Sequence, residues 1–182
     1  MKYIFILIFL FILIMADATN VFAAAISVDS SAVLLKPIAR PLDTRVEILK
    51  EFLEQYNSPL TPFASDFVEI ADKYELDWKL VVAISGVEST FGKQIPYDSF
   101  NGWGWGIYGN NVIRFSSWTE GIEAVSEGIR TKYIDKWGAT DVYGIGRFYA
   151  ASPTWAQRVE YFMRKIDEFK DQKLSKSLSI SL

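Results

Sequence analysis

The chain has 182 residues, a formal net charge of −3 and neither cysteine nor histidine. Those absences exclude disulfides, thiol and thiolate chemistry, Ser-His-Asp triads and His-ligated zinc. The mildly acidic balance argues against a nucleic-acid partner, which calls for clustered Lys and Arg.

A basic start at Lys2, a 13-residue apolar run over 3–15 and the small residues Ala23-Ala24-Ala25 have the layout of a secretory signal over 1–23. The run falls short of the ~20 residues that a spanning helix needs, although an uncleaved membrane anchor remains the alternative. Either way, the expectation is an exported domain that works outside the cytoplasm. Residues 24–42, with Pro37 and Pro41, read as an extended lead-in.

From Asp43 the pattern turns helical. Val46, Leu49, Phe52, Leu53 and Tyr56 keep three-four spacing, and Asn57-Ser58-Pro59 ends that helix. Phe63, Phe67, Ile70, Ala71 and Tyr74 mark a second. Asp77 is placed to cap a third, from Trp78 to about Phe91, which is apolar around most of its girth and so belongs in the middle of a domain. Gly86 within it calls for the close approach of another helix or a ligand.

Residues 93–116 lack helical periodicity and are rich in glycine and aromatics, most densely in NGWGWGIYGN at 101–110. An irregular stretch of this length in a small domain is usually functional. Ser117-x-x-Glu120 is a capping box that opens a helix with the stripe Trp118, Ile122, Val125, Ile129 and Tyr133. A short helix over Asp141–Phe148 follows. Ser152-Pro153 then starts the last helix, whose face is Ala156, Val159, Phe162, Met163, Ile166 and Phe169. Residues 172–182 read as a disordered tail, which leaves 43–171 as one mainly α domain, expected to be a monomer.

Glu88 stands out chemically. It lies near the C-terminal end of the most apolar helix, where Ile84, Val87 and Phe91 would desolvate it and the helix terminus disfavours an anion. A carboxylic acid kept protonated near neutral pH suits proton donation to a glycosidic oxygen. Glycoside cleavage is also a reaction class that needs only carboxylates. The aromatic stretch has two readings, core filling or sugar stacking; Trp105 and Tyr108 are the sugar-facing candidates, and Trp103 is expected in the core. Tyr149 could face a cleft or satisfy a loop carbonyl. Asp98, Glu120 and Asp141 are the available second carboxylates, and none is compelling.

Taken in order, AISGVESTFGK, NGWGWGIYG, RFSSWTEGIEAVSEGI and YAASPTWAQRV resemble the lysozyme-like bacterial peptidoglycan glycosidases. The likeness covers about residues 45–170. It is closest to the endo-β-N-acetylglucosaminidase-type autolysin domain and extends to soluble lytic transglycosylases and goose-type lysozyme. The resemblance implies a lysozyme-like helical domain with a small β-hairpin or loop insertion lining the cleft. It implies Glu88 as general acid, Ser89 as its companion, grouped with the substrate-binding residues and helping to position the site, and Trp105, Gly106, Ile107 and Tyr108 lining the glycan groove. Tyr149 is implicated in catalysis, and Arg114-Phe115 matches a mainly structural element. The partner would be peptidoglycan glycan strands, with no metal or cofactor. Ser152 replaces the Asp of the family's Y-A-T-D-P motif, and the characteristic transglycosylase motifs are absent. Hydrolysis, anhydro-forming lysis and non-catalytic glycan binding therefore all stand as readings.

Overall fold

The computed structural model describes residues 43–107, 109 and 111–180. The expected signal (1–23) and lead-in (24–42), as well as Tyr108, lie outside the described residues. The described chain is mainly helical: α1 Thr44–Gln55, a 3₁₀ turn Thr61–Phe63, α2 Ala64–Lys73, α3 Leu80–Ser89, α4 Trp118–Gly128, α5 Val142–Tyr149 and α6 Trp155–Ile180. A π-helical segment, Ile129–Lys136, continues α4.

Side chains cap several of the helices. Asp43 accepts the Arg45 N–H at the head of α1, and Ser117 accepts the Glu120 N–H at the head of α4. Glu120 reaches back one residue further than a standard capping box, to the Ser116 N–H at 2.6 Å. Asp77 accepts the Lys79 N–H, but α3 begins at Leu80 rather than Trp78, and its N-cap, Lys79, makes no side-chain capping bond. The last helix starts at Trp155, two residues beyond Pro153, with the Trp155 N–H donated to the Ser152 carbonyl.

α3 is the central element, as its composition requires. Leu80, Val81, Val82, Ala83 and Ile84 are all buried among Leu49, Phe52, Phe67, Val68, Ile122, Val125, Val159 and Ile166. Gly86 serves helix packing. A Cβ there would lie 2.7 Å from Phe91 Cζ and 3.0 Å from Phe162 Cδ2, so α6 and the turn after α3 could not close down on it. α3 stops at Ser89, two residues short of the expectation, because Thr90, Phe91 and Gly92 all take left-handed φ values (54°, 57° and 80°). For Thr90 and Phe91 that conformation costs about 1–2 kcal/mol each. The reversal carries the fully buried Phe91 ring back under Gly86.

Two sequence expectations are corrected. Residues 172–180 are helical rather than a disordered tail. Lys173 pairs with Glu51 at 2.6 Å, tying the end of α6 to α1. Among the described residues there is also no strand, so the insertion after α3 is not a β-hairpin. Gly104, Gly106 and Gly109 have φ of +62°, +63° and +60°. Extended pairing needs φ near −120° to −140° at each position, whereas left-handed glycines at alternate positions coil the segment into successive turns.

Candidate active site

Glu88 occupies the last turn of α3. Its Oε1 accepts the Trp155 indole N–H at 2.7 Å, and its Oε2 lies 3.3 Å from where a Cβ on Gly104 would sit. Arg158, one turn beyond Trp155 on α6, donates to the Val87 carbonyl at 3.0 Å. The carboxyl pKa is raised above the ordinary glutamate value. Burial is the main cause, opposed by the Trp155 hydrogen bond and the Arg158 charge. Both the direction and desolvation as its main cause match the sequence expectation. Ile84 and Phe91 are fully buried in the core, while the carboxylate is bonded by Trp155 and faces the side-chain-free position of Gly104. The glutamate as a whole is nevertheless exposed, so the desolvation is that of a partly covered carboxylate.

The glycine-aromatic loop is assembled by two buried polar side chains. Asn101, 1% exposed, donates from Nδ2 to the Trp105 carbonyl (2.9 Å) and the Ile113 carbonyl (3.0 Å). Its Oδ1 accepts the Trp105 N–H at 3.0 Å. One amide side chain thus closes the loop on itself across twelve residues. Ser89 joins the loop to the helix, donating to the Gly102 carbonyl at 2.7 Å and accepting the Gly92 N–H at 2.8 Å. At 2% exposure, Ser89 is walled off from any glycan. It positions the loop, in keeping with a companion of Glu88 that helps position the site.

The tryptophans divide as their alternation suggests. Trp103 is fully buried, 6.2 Å from Phe67 and 6.1 Å from Trp118 between ring centroids. Its indole N–H donates to the Val81 carbonyl at 2.9 Å. Gly121 makes room for it, since a Cβ there would be 2.6 Å from its ring. Trp105 is half-buried and wedged over Gly128, where a Cβ would fall 2.2 Å from its Cζ2. Its ring lies 5.7 Å from both Tyr133 and Tyr149. Ile107 is half-buried, and Gly106 packs under Ile113.

Tyr149 donates its hydroxyl to the Trp103 carbonyl at 2.7 Å and stacks on Trp155 at 4.7 Å and 21°. Of its two sequence readings, the loop carbonyl is the one adopted. Burial, and next the Glu88 charge, push its phenol pKa well above the ordinary tyrosine value. Glu88, Trp155, Tyr149 and the Trp103–Trp105 backbone therefore form one connected group. From it the aromatic surface continues through Tyr133 to Trp137, stacked at 5.3 Å and 18°, and to Phe148, 4.9 Å from Trp137.

The three candidate second carboxylates are engaged elsewhere or lie apart. Glu120 is exposed and holds Ser116. Asp141 caps α5 through the Gly144 N–H at 2.7 Å. Asp98 is exposed in a left-handed turn with φ of 52°. Among the described residues, no three carboxylates come close enough to hold a metal ion. Two concavities flank the site without including Glu88. One, of about 500 Å³, lies between α3 and α6 against Val87, Thr90, Arg158 and Tyr161. The other, of about 370 Å³, lies against Arg147, Ala150, Ser152 and Pro153.

Sequence reasoning missed Trp155, Asn101 and Arg158. The available signals were an indole N–H in a helix start bound for the core and an asparagine heading a glycine-rich turn. No known protein-family model matches the chain, and no curated protein matches it.

Proposed function

We propose that the protein is an exported glycosidase that breaks the β-1,4 bond between aminosugars of peptidoglycan with Glu88 as its general acid. The observation that carries this reading is the Glu88 carboxyl itself. It is held by one directed hydrogen bond, raised in pKa by burial, and open on one side beside a glycine-bordered loop and an aromatic surface. Aromatic walls combined with a few fixed polar groups are the usual make-up of a ligand site, and indole and phenol faces suit pyranose rings.

With Asp98, Glu120 and Asp141 placed as above, substrate-assisted chemistry fits better than a two-carboxylate mechanism. The Glu88 proton passes to the glycosidic oxygen as the C1–O bond breaks. The substrate's acetamido oxygen forms the new bond to C1, and water opens that cyclic intermediate while returning a proton to Glu88. Trp105 is the sugar-facing side chain, Gly106 and Ile107 shape the loop beside it, and Tyr149 orders the loop from beneath. If the sugar's own 6-hydroxyl replaces water, the same machinery makes a lytic transglycosylase.

Digestion of purified peptidoglycan followed by mass spectrometry of the fragments tests the proposal. The expected product carries a reducing N-acetylglucosamine end; 1,6-anhydromuramyl ends would assign lyase chemistry. Glu88→Gln is expected to abolish release while retaining the far-ultraviolet spectrum. Release that survives in that variant, or glycan binding without turnover by the wild type, overturns the assignment.

A further inference from the structure

The two oxygens of Glu88 stand in unlike surroundings. Oε1 accepts the Trp155 Nε1–H at 2.7 Å, and an indole nitrogen only donates. The indole has little freedom to turn away. It is 2% exposed, stacked on Tyr149, and rests on Gly146, where a Cβ would lie 3.0 Å from its Cε3. Oε2 lies over Gly104, an exposed residue whose missing side chain leaves that oxygen uncovered; a Cβ would sit 3.3 Å from it.

Resting on the reading of Glu88 as general acid, we propose that Trp155 is the positioning residue that assigns the roles of the two carboxyl oxygens. Oε1 is held as the acceptor, so Oε2 carries the proton and presents it over Gly104 to the glycosidic oxygen. In the neutral acid, the carbonyl oxygen is the better acceptor of the indole N–H, which leaves the O–H on the open side. When the proton leaves Oε2, its bonding pair stays on Glu88, and the same N–H then stabilises the carboxylate as a charge-assisted bond. The charged and titratable groups facing Glu88 are Arg158, from the same helix as Trp155, and Tyr149 from α5. Tyr149 stacks on the Trp155 ring, so a ring-preserving isostere, more than Trp155→Phe, isolates the effect of the indole N–H. Gly104 acquires a second reason to be glycine, beyond its φ of +62°.

The test removes the N–H while keeping the ring. One full-length chain carries Trp155→Phe. A second carries 3-benzothienylalanine at position 155, a tryptophan isostere with sulfur in place of N–H, which guards against misfolding of the first. Glu88 is titrated by carbon-13 NMR in each, and kcat and KM for peptidoglycan fragments are measured across pH. Loss of a hydrogen bond that favours the ionised form should raise the Glu88 pKa and move the alkaline limb of the kcat profile upward in step. At the optimum, kcat should fall about tenfold with KM little changed, as expected for losing one hydrogen bond to a charged group. An isostere chain with wild-type pKa and wild-type kcat overturns the assignment of Trp155. A raised Glu88 pKa in a protein that releases no glycan, even as wild type, instead overturns the glycosidase reading and leaves the Trp155–Glu88 geometry standing.

Discussion

Asn101 offers the sharpest test of how the candidate site is built. Asn101→Ala strips partners from three main-chain groups: the Trp105 N–H, the Trp105 carbonyl and the Ile113 carbonyl. At about 1 kcal/mol net per bond the loss is about 3 kcal/mol. Ile113 is 43% exposed and Trp105 half-buried, so water reaches part of what is orphaned and about 2 kcal/mol is the better figure. For a domain of this size that lowers Tm by about 7 °C. Asn101→Asp sharpens the argument. It keeps an acceptor for the Trp105 N–H but turns a buried carboxylate towards two carbonyl oxygens, which raises its pKa in the folded state. The native state then binds more protons than the unfolded chain, so stability falls as pH rises through the raised pKa. The aspartate variant should therefore approach wild type near pH 3.5 and lie below the alanine variant at pH 7. Thermal and urea unfolding at both pH values, with limited proteolysis to report loop opening, measures this. Melting within about 1 °C of wild type for both variants, with unchanged cleavage between 98 and 115, would refute the claim that Asn101 holds the loop.

Other substitutions probe the same assembly. Glu88→Gln should be more stable than wild type at pH 7 and equal to it below the ordinary glutamate value of 4.5. With the folded-state pKa raised, ionising Glu88 disfavours the native state as pH climbs; urea midpoints at pH 3.5 and 7 measure the difference. Gly128→Ala gains about 1 kcal/mol of helix propensity but pushes its Cβ into the Trp105 ring at 2.2 Å, an overpacking cost of about 1–3 kcal/mol. A net loss of about 1 kcal/mol in urea unfolding is expected, and a gain in stability would show that Trp105 is not wedged there. Tyr149→Phe keeps the stack on Trp155 but leaves the Trp103 carbonyl without its donor. It should cost about 1 kcal/mol in unfolding free energy and slow glycan release by loosening the loop.

The helices were legible because three-four spacing and capping residues are local signals. Ser117 caps where the pattern placed it, Asp43 and Asp141 cap at the helix starts the spacing marked, and the solid apolar run of α3 can only be satisfied in the interior. Errors gathered where local signals run out. Alternating glycines are compatible with a hairpin or with a coil of turns, and only the φ values of Gly104 and Gly106 distinguish the two. The serine-rich C-terminal segment reads as unstructured, yet its lysine meets Glu51 across 122 residues. The π-helical widening at Ile129 lies next to Gly128, the notch filled by Trp105, and no periodicity in the stripe from Trp118 to Tyr133 announces it.

By itself, the sequence determined that the protein is mainly helical, that its chemistry has neither thiol nor imidazole, and that Glu88 ends its most buried helix. Each of these follows from residue identity or from spacing within one helical turn. Tertiary structure decided which indole fills the core and which reaches the aromatic surface. It also brought Trp155 across 67 residues to Glu88, and made Asn101 and Ser89 the ties of the loop. Directed hydrogen bonds between residues far apart in the chain leave no periodic trace, and only packing against α3 brings those partners within reach.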